Sequence, residues 1–511
     1  MWEWLIDNEY KPLGYRYLVE HFALNVPPHY RWTYLGTKWE AEKIDGTTYH
    51  PTVYILTPST KPLLDPLSNL IFALKHEGIN LLIIKETLLR IPEKELLSHI
   101  ESNKKSKYAR LIWFYYEHFL QKKLPTEDLT NGNYIPALNP KEYYTCRPKR
   151  SPRYLIHNNF LGDFSFCPIV RRTEKLEKYI SKDYSGELLK LIGRFKPETI
   201  ARASQYIFTK ETLASWEIER EQQSSNRIAK FTNLLRRLPE KHVLKKETLI
   251  QLQKEIVDKR FALNDYRDFQ NYVGEESLVG KMILHYIPPR PEDLPVLMEG
   301  LLKSYYEMMH SELHPVIIAA TLSFGFVLLH PFSDGNGRLH RYLIHYVLHL
   351  RKFTPNNLLF PISASILRDE ATYDQILEQT SQPLLEIIQN FTLSALGKMH
   401  VTQKTKDFYS FIDFTKYAEY LFHCIEQTIT TDFEKELAFL QQYDTIKKAF
   451  QNYLPMPDRL LDLLFKYLKQ NEGKLSLRKR EKYFSMLTDK EIAHLEGIYQ
   501  KLTALGDNLL P

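Results

Sequence analysis

Twelve consecutive residues, His330-Pro331-Phe332-Ser333-Asp334-Gly335-Asn336-Gly337-Arg338-Leu339-His340-Arg341, gather an imidazole, a carboxylate, an amide between two glycines, and two guanidinium groups. This is the inventory needed by a phosphate chain with a bound divalent metal and a nearby nucleophile. A neutral imidazole at His330 can take a proton from an attacking hydroxyl. Asp334 is a hard oxygen ligand suited to Mg2+, which takes one or two carboxylates together with phosphates and water. Gly335 and Gly337 let the backbone turn and approach a ligand closely, and Asn336 can hold that turn or donate to an oxygen. Arg338 and Arg341 are three residues apart, so they share one side of a first helical turn and can grip terminal phosphates.

The flanking elements must hold this loop. Val316 to Leu329 is apolar nearly all round, as in a helix buried on every side. After the loop, Leu339, Tyr342, Leu343, Tyr346, Val347 and Leu350 mark one face of an amphipathic helix. The loop therefore joins two helices and caps the second, whose N-terminal amides and partial positive charge favour an anion. Upstream, Phe269 to Ile287 carries β-branched and aromatic residues with Gly274 and Gly280 and stops at Pro288-Pro289, which predicts a hairpin flap. Helical periodicity extends over Leu67–Leu74, Leu81–Ile91, Lys107–Phe119, Leu188–Leu238, Thr248–Tyr266 and Pro291–Leu302. The last ~110 residues are also helical, with a capping-box spacing at Thr488 and Glu491.

Composition sets the bounds. The 511 residues suffice for several domains, and 43% hydrophobic with 25% charged residues describes an ordinary globular chain. The net charge of +6 arises from 68 basic and 62 acidic residues, which permits an anionic partner without demanding nucleic acid. Cys146, Cys167 and Cys424 have no metal-binding or disulfide spacing, so a reducing cytosol is the expected home. The N-terminus lacks the pattern of a signal peptide. The longest apolar run falls short of the roughly 20 residues that span a bilayer, so no membrane role is expected.

The loop resembles the signature of the Fic (filamentation induced by cAMP) family, HxFx[DE]GNGRxxR, and matches it at every specified position. The resemblance implies protein adenylylation, the transfer of AMP from ATP to a Ser, Thr or Tyr hydroxyl of a target protein. It makes His330 the base and Asp334 the Mg2+ ligand. Gly335, Asn336 and Gly337 become the anion nest, and Arg338 and Arg341 the grips on the β- and γ-phosphates. Tyr373 is expected to form a stacking wall for the base, and the 269–287 flap to align the target by strand addition.

The family often carries an inhibitory helix with the pattern [ST]xxxE[GN]. Ser215-Trp216-Glu217-Ile218-Glu219-Arg220 fits at Ser215 and Glu219 and departs at Arg220. An i, i+4 pair shares a helix face. By resemblance, Glu219 pairs with Arg341 and displaces the γ-phosphate from its productive pose. Glu217 lies out of register.

The expected fold is mainly α: a Fic-type helical core with a small β-hairpin flap, an N-terminal mixed α/β or helical region, and a C-terminal helical region. The expected segments are 1–190 for scaffold or target recognition, 191–244 for the inhibitory helix, 245–396 for the core and 397–511 for the helical end. Partners are ATP and a protein target, with a homodimer left open; a secreted effector is the alternative to a cytoplasmic location. Other readings keep the fold but use a different nucleotide donor or remove AMP. A reading of another class is a nucleotide-sensing regulator that contacts DNA through the basic stretch Lys474 to Lys482.

Overall fold

A computed structural model describes residues 10–38, 41–46, 50–59, 63–220, 225–239, 244–277, 282–354, 358–394 and 396–507. The fold is mainly helical with small sheets. It forms two compact units that cut across the four segments expected from sequence. One comprises Met1–Lys182, Thr212–Phe353 and Ile366–Cys424; the other comprises Asp183–Glu211, Thr354–Ser365 and Ile425–Pro511. Non-local packing causes the regrouping: the backbone of Cys167 and Ile169 hydrogen-bonds to Ser410 and Ile412, and Phe414 returns a bond to Ile169.

The first unit opens on a four-stranded sheet. Lys11–Leu13 pairs antiparallel with Arg31–Leu35, which runs parallel to Thr52–Leu56; Glu42–Ile44 closes the far edge antiparallel. Pro66–His76, Leu81–Leu88 and Lys107–Leu120 are helices that share a core built around Leu70, Ile84, Trp113 and Phe114. Asp65 and Asn80 start the first two of these helices by accepting the backbone N–H groups of Ser68 and Ile83.

The centre of the same unit positions the loop. Helix Pro315–Leu329 has thirteen of its fifteen residues buried, and each large apolar side chain withdrawn from water stabilises it by about 1.5–3 kcal/mol. It packs between Leu294–Met309 and Asn336–Leu350. A Cβ on Gly325 would lie 2.8 Å from Leu301 Cδ1, so the glycine permits that close approach. The flap is the antiparallel pair Val273–Glu276 and Met282–Tyr286.

The expected helix over Thr248–Tyr266 is shorter: it runs Lys246–Ile256 and ends at extended Val257. The buried amide of Gln253 accepts the N–H of Leu263, which folds the following segment back as a loop. An amphipathic count cannot see that side-chain competitor.

The second unit packs Glu434–Tyr453, Asp458–Gln470, Leu477–Tyr483 and Asp489–Asp507 around Ile446, Phe450, Leu468, Phe484 and Leu495. Its capping box is closed: Thr488 N–H donates to Glu491 Oε2 at 2.7 Å, and Glu491 N–H donates to Thr488 Oγ1 at 3.3 Å. Two charges of the basic stretch are paired within the unit, Lys474 with Glu496 and Arg480 with Asp489. Among the described residues no helix is long and apolar enough to cross a membrane.

Candidate active site

His330 ends the buried helix. It adopts φ 49°, ψ 58°, and its N–H bonds to Phe326 O at 3.0 Å. That left-handed turn swings the chain out of the helix, and the fully buried Phe332 ring anchors it. The loop closes on Asn336. Its Oδ1 accepts the Phe332 N–H at 3.0 Å and its Nδ2 donates to Phe332 O at 2.8 Å. The Asn336 side chain thus holds the turn, which leaves its backbone N–H for an anion.

Gly335 has φ 89° and precedes the second helix, whose first internal bond runs from Leu339 N–H to Gly335 O at 2.9 Å. The preceding amides have no partner within the helix and mark an anion seat. A carboxylate occupies that place. Glu219 Oε1 would lie 2.1 Å from a Cβ on Gly337, and it accepts a 2.7 Å bond from Arg341 Nη2. Ser215 completes the grip: its Oγ accepts from Arg341 Nε at 2.7 Å and its carbonyl from Nη2 at 2.8 Å. The guanidinium is only 1% exposed, and its Nη1 is buried without a hydrogen-bond partner among the described residues. Such an orphan donor suits a phosphate oxygen. Glu217 is exposed, as its register requires.

Arg220, the residue that departs from the inhibitory pattern, has φ 53°. The position ends the helix in the left-handed region, where Gly and Asn sit with least strain. The mismatch is therefore one of residue type, at a position whose backbone Gly or Asn would adopt with less strain.

Asp334 pairs with Arg338, Oδ1 to Nη2 at 2.5 Å. The Arg338 guanidinium also lies 4.4 Å from the ring centroid of buried Trp216. The carboxylate is about a third exposed, at 34%. Among the described residues no cluster of three His, Cys, Asp or Glu side chains could enclose a metal. One accessible carboxylate fits Mg2+ only in a set completed by phosphate oxygens and water.

Arg267 was not legible in the motif. Its Nε donates to His330 O at 2.9 Å, its N–H to Pro331 O at 2.9 Å, its Nη1 to Phe269 O at 2.9 Å and its Nη2 to Pro289 O at 2.5 Å. One side chain thereby ties the loop to both ends of the flap. Burial, reinforced by the Arg267 cation, pushes the His330 imidazole down to about 4, so it is neutral at physiological pH and able to accept a proton. No local pattern could reveal a clamp 63 residues upstream of its acceptor.

Tyr373 is 7% exposed, with its ring among Phe324, His340 and Tyr420. It also lies close enough to Arg341 and Glu219 for both charges to act on its hydroxyl, which burial pushes up.

Residues 243–348 match the Fic/DOC family, and the chain carries a Fic/DOC domain over that span. Over 94 residues it is 39% identical to a protein adenylyltransferase Fic of Drosophila willistoni, and 37% identical to one of Culex quinquefasciatus. Each match covers 18% of this chain and 16% of the relative, so the shared stretch spans about a sixth of those relatives. A Fic domain containing signaling protein from Bacteroides thetaiotaomicron aligns over 52% of this chain and 97% of its own, at 18% identity and TM-score 0.34. A Fic family protein from Desulfovibrio desulfuricans aligns over 64% and 85%, at 15% identity and TM-score 0.35.

Proposed function

We propose that the chain transfers AMP from ATP to a Ser, Thr or Tyr hydroxyl of a protein target, and restrains itself through Glu219. The observation that carries this reading is a neutral imidazole ending one helix while the next begins in an anion seat filled by the protein's own carboxylate. In the active state the terminal phosphates of ATP replace Glu219 on Arg341, Arg338 and the loop amides. His330 takes the proton of the target hydroxyl. Its oxygen bonds to the α-phosphorus as the bond to the bridging oxygen breaks, and pyrophosphate leaves. Asp334 would hold Mg2+, which supplies charge neutralisation on the phosphates. The flap strands pair only with each other among the described residues, and Val273–Glu276 is exposed throughout; an open strand edge suits an extended target segment.

The test incubates Glu219→Gly protein with Mg2+, labelled ATP and cell lysate, with Glu219→Gly/His330→Ala as control. Label on protein in the first and none in the second is expected. A folded, ATP-binding Glu219→Gly protein that labels nothing, itself included, would reject the reading.

A further inference from the structure

Away from the loop, the first unit contains a cavity of about 410 Å3, a size that accommodates a small organic molecule. Its lining includes His29, Tyr30, Arg171, Gln379, Thr380 and Asp413. None of these belongs to the 330–341 loop or to the inhibitory helix.

Arg171 is prepared in an unusual way. Its backbone N–H donates to Thr415 Oγ1 at 2.8 Å, and its residue bridges to Tyr143. Its Nε donates to Asp413 Oδ2 at 2.7 Å, and the guanidinium carbon lies 3.9 Å from the ring centroid of Tyr30. One edge of the fork is thus clamped and one face is stacked. The other edge, Nη1 and Nη2, makes no hydrogen bond among the described residues.

Asp413 cannot serve as the ligand's partner. Its Oδ1 takes both the N–H and the hydroxyl of Thr415, and its Oδ2 takes Arg171. Burial opposes its charge, but Arg171 and the Thr415 donors hold it below the usual carboxylate range. It therefore orients the arginine and partly neutralises it, in a pair whose side chains are 20% and 36% exposed. His29 adds no charge: burial pushes it down to about 3, and its Nε2 faces Glu77 O at 2.9 Å. The remaining charged lining residue is Lys416, another cation. Phe408, Phe411 and Ile412 supply an apolar wall.

We infer that this cavity is a second ligand site for a small organic anion, its carboxylate or phosphate held two-pronged by the free edge of Arg171 and its ring or chain against the apolar wall. A planar fork with fixed orientation suits either head group.

Calorimetric titration of the full chain with benzoate, phenyl phosphate and neutral benzyl alcohol tests this. Saturable binding of at least one of the two anions at a single site is expected, and which one binds distinguishes carboxylate from phosphate. Arg171→Gln/Asp413→Asn, which removes the pair without stranding a charge, should weaken binding about tenfold or more, the scale of lost charge-assisted bonds. Gln379→Trp, which fills the cavity and leaves the pair alone, should do the same and decides the matter where the double variant does not fold. Arg341→Ala should bind as tightly as the wild type, which separates this site from the nucleotide loop. The inference is overturned by absence of saturable anion binding at millimolar concentration, by equal binding of the alcohol, by undiminished binding in a folded double variant or in Gln379→Trp, or by loss of binding in Arg341→Ala.

Discussion

A Cβ on Gly337 would lie 2.1 Å from Oε1 of Glu219. The Glu219 carboxylate and a side chain at position 337 would therefore compete for one volume, which under the proposed function a phosphate oxygen would also need. Removing Glu219 and enlarging residue 337 should consequently have opposite effects. Glu219→Gly empties the seat and should raise AMP transfer by on the order of tenfold or more, the scale of a partly buried ion pair of a few kcal/mol. Gly337→Ala evicts the carboxylate but also fills the seat, so it should show no activation and weaker ATP binding. Initial rates with labelled ATP and equilibrium nucleotide binding on both variants check the pair. Equal activation by the two would contradict a shared volume.

Arg220 gives a graded version of the same experiment. Its φ of 53° is strained for a residue that carries a Cβ by roughly 1–2 kcal/mol. Arg220→Asn should relieve part of that strain and, under the proposed function, stabilise the conformation in which Glu219 holds Arg341. Transfer should fall about fivefold, the equivalent of roughly 1 kcal/mol, while the thermal midpoint rises slightly. In the Glu219→Gly background the same change should have no effect on rate, because the contact it supports is gone. An unaltered rate for Arg220→Asn alone would detach the turn from the restraint.

Arg267 should matter to both structure and pH response. Arg267→Gln removes a buried cation and at least two of its side-chain bonds to the carbonyls of His330, Phe269 and Pro289. Stability should drop by about 2–4 kcal/mol, measured by denaturant midpoint. The lost cation should also let the His330 imidazole titrate closer to its ordinary value. The acid limb of transfer, followed in the Glu219→Gly background, should move to higher pH. Arg267→Lys keeps the charge and loses the fork, so it should share the instability but not the pH shift.

The loop was legible because its residues are contiguous, and a helix on either side follows from apolar spacing alone. Ser215 and Glu219 were legible for a related reason: an i, i+4 pair shares a face whatever lies opposite. What it met, Arg341, is 122 residues away, and only the family resemblance suggested the partner. Arg267 and the Arg171–Asp413 pair had no such aid. The latter are 242 residues apart, and each alone reads as a surface charge. The aromatic neighbours of Tyr373 were not legible either, because periodicity gives a residue's face but not what the neighbouring helices pack against it. The two compact units were hidden for the same reason, since the strands and helices that join distant segments are paired by tertiary contacts.

Four histidines whose imidazoles are held well below their ordinary value make acid the chain's weak side. Burial lowers His29 and His340 to about 3, and His314 and His330 to about 4. In the unfolded chain each titrates near 6.5. Between those values the unfolded state binds more protons, so stability rises with pH and is lost as pH falls from about 6.5 toward 4. Each unit of difference contributes about 1.4 kcal/mol per group. Glu77 opposes them: burial raises it to about 7, which favours the folded chain as pH falls toward the ordinary carboxylate value. One carboxyl group does not offset four imidazoles. The denaturant midpoint should be nearly constant from pH 7 to 8 and fall clearly between pH 6.5 and 5. Over that same interval the transfer rate of still-folded Glu219→Gly protein should hold, because His330 stays neutral until about pH 4. A rate that halves near pH 6.5 while circular dichroism is unchanged would show the imidazole in contact with bulk water and its base role set by solution chemistry.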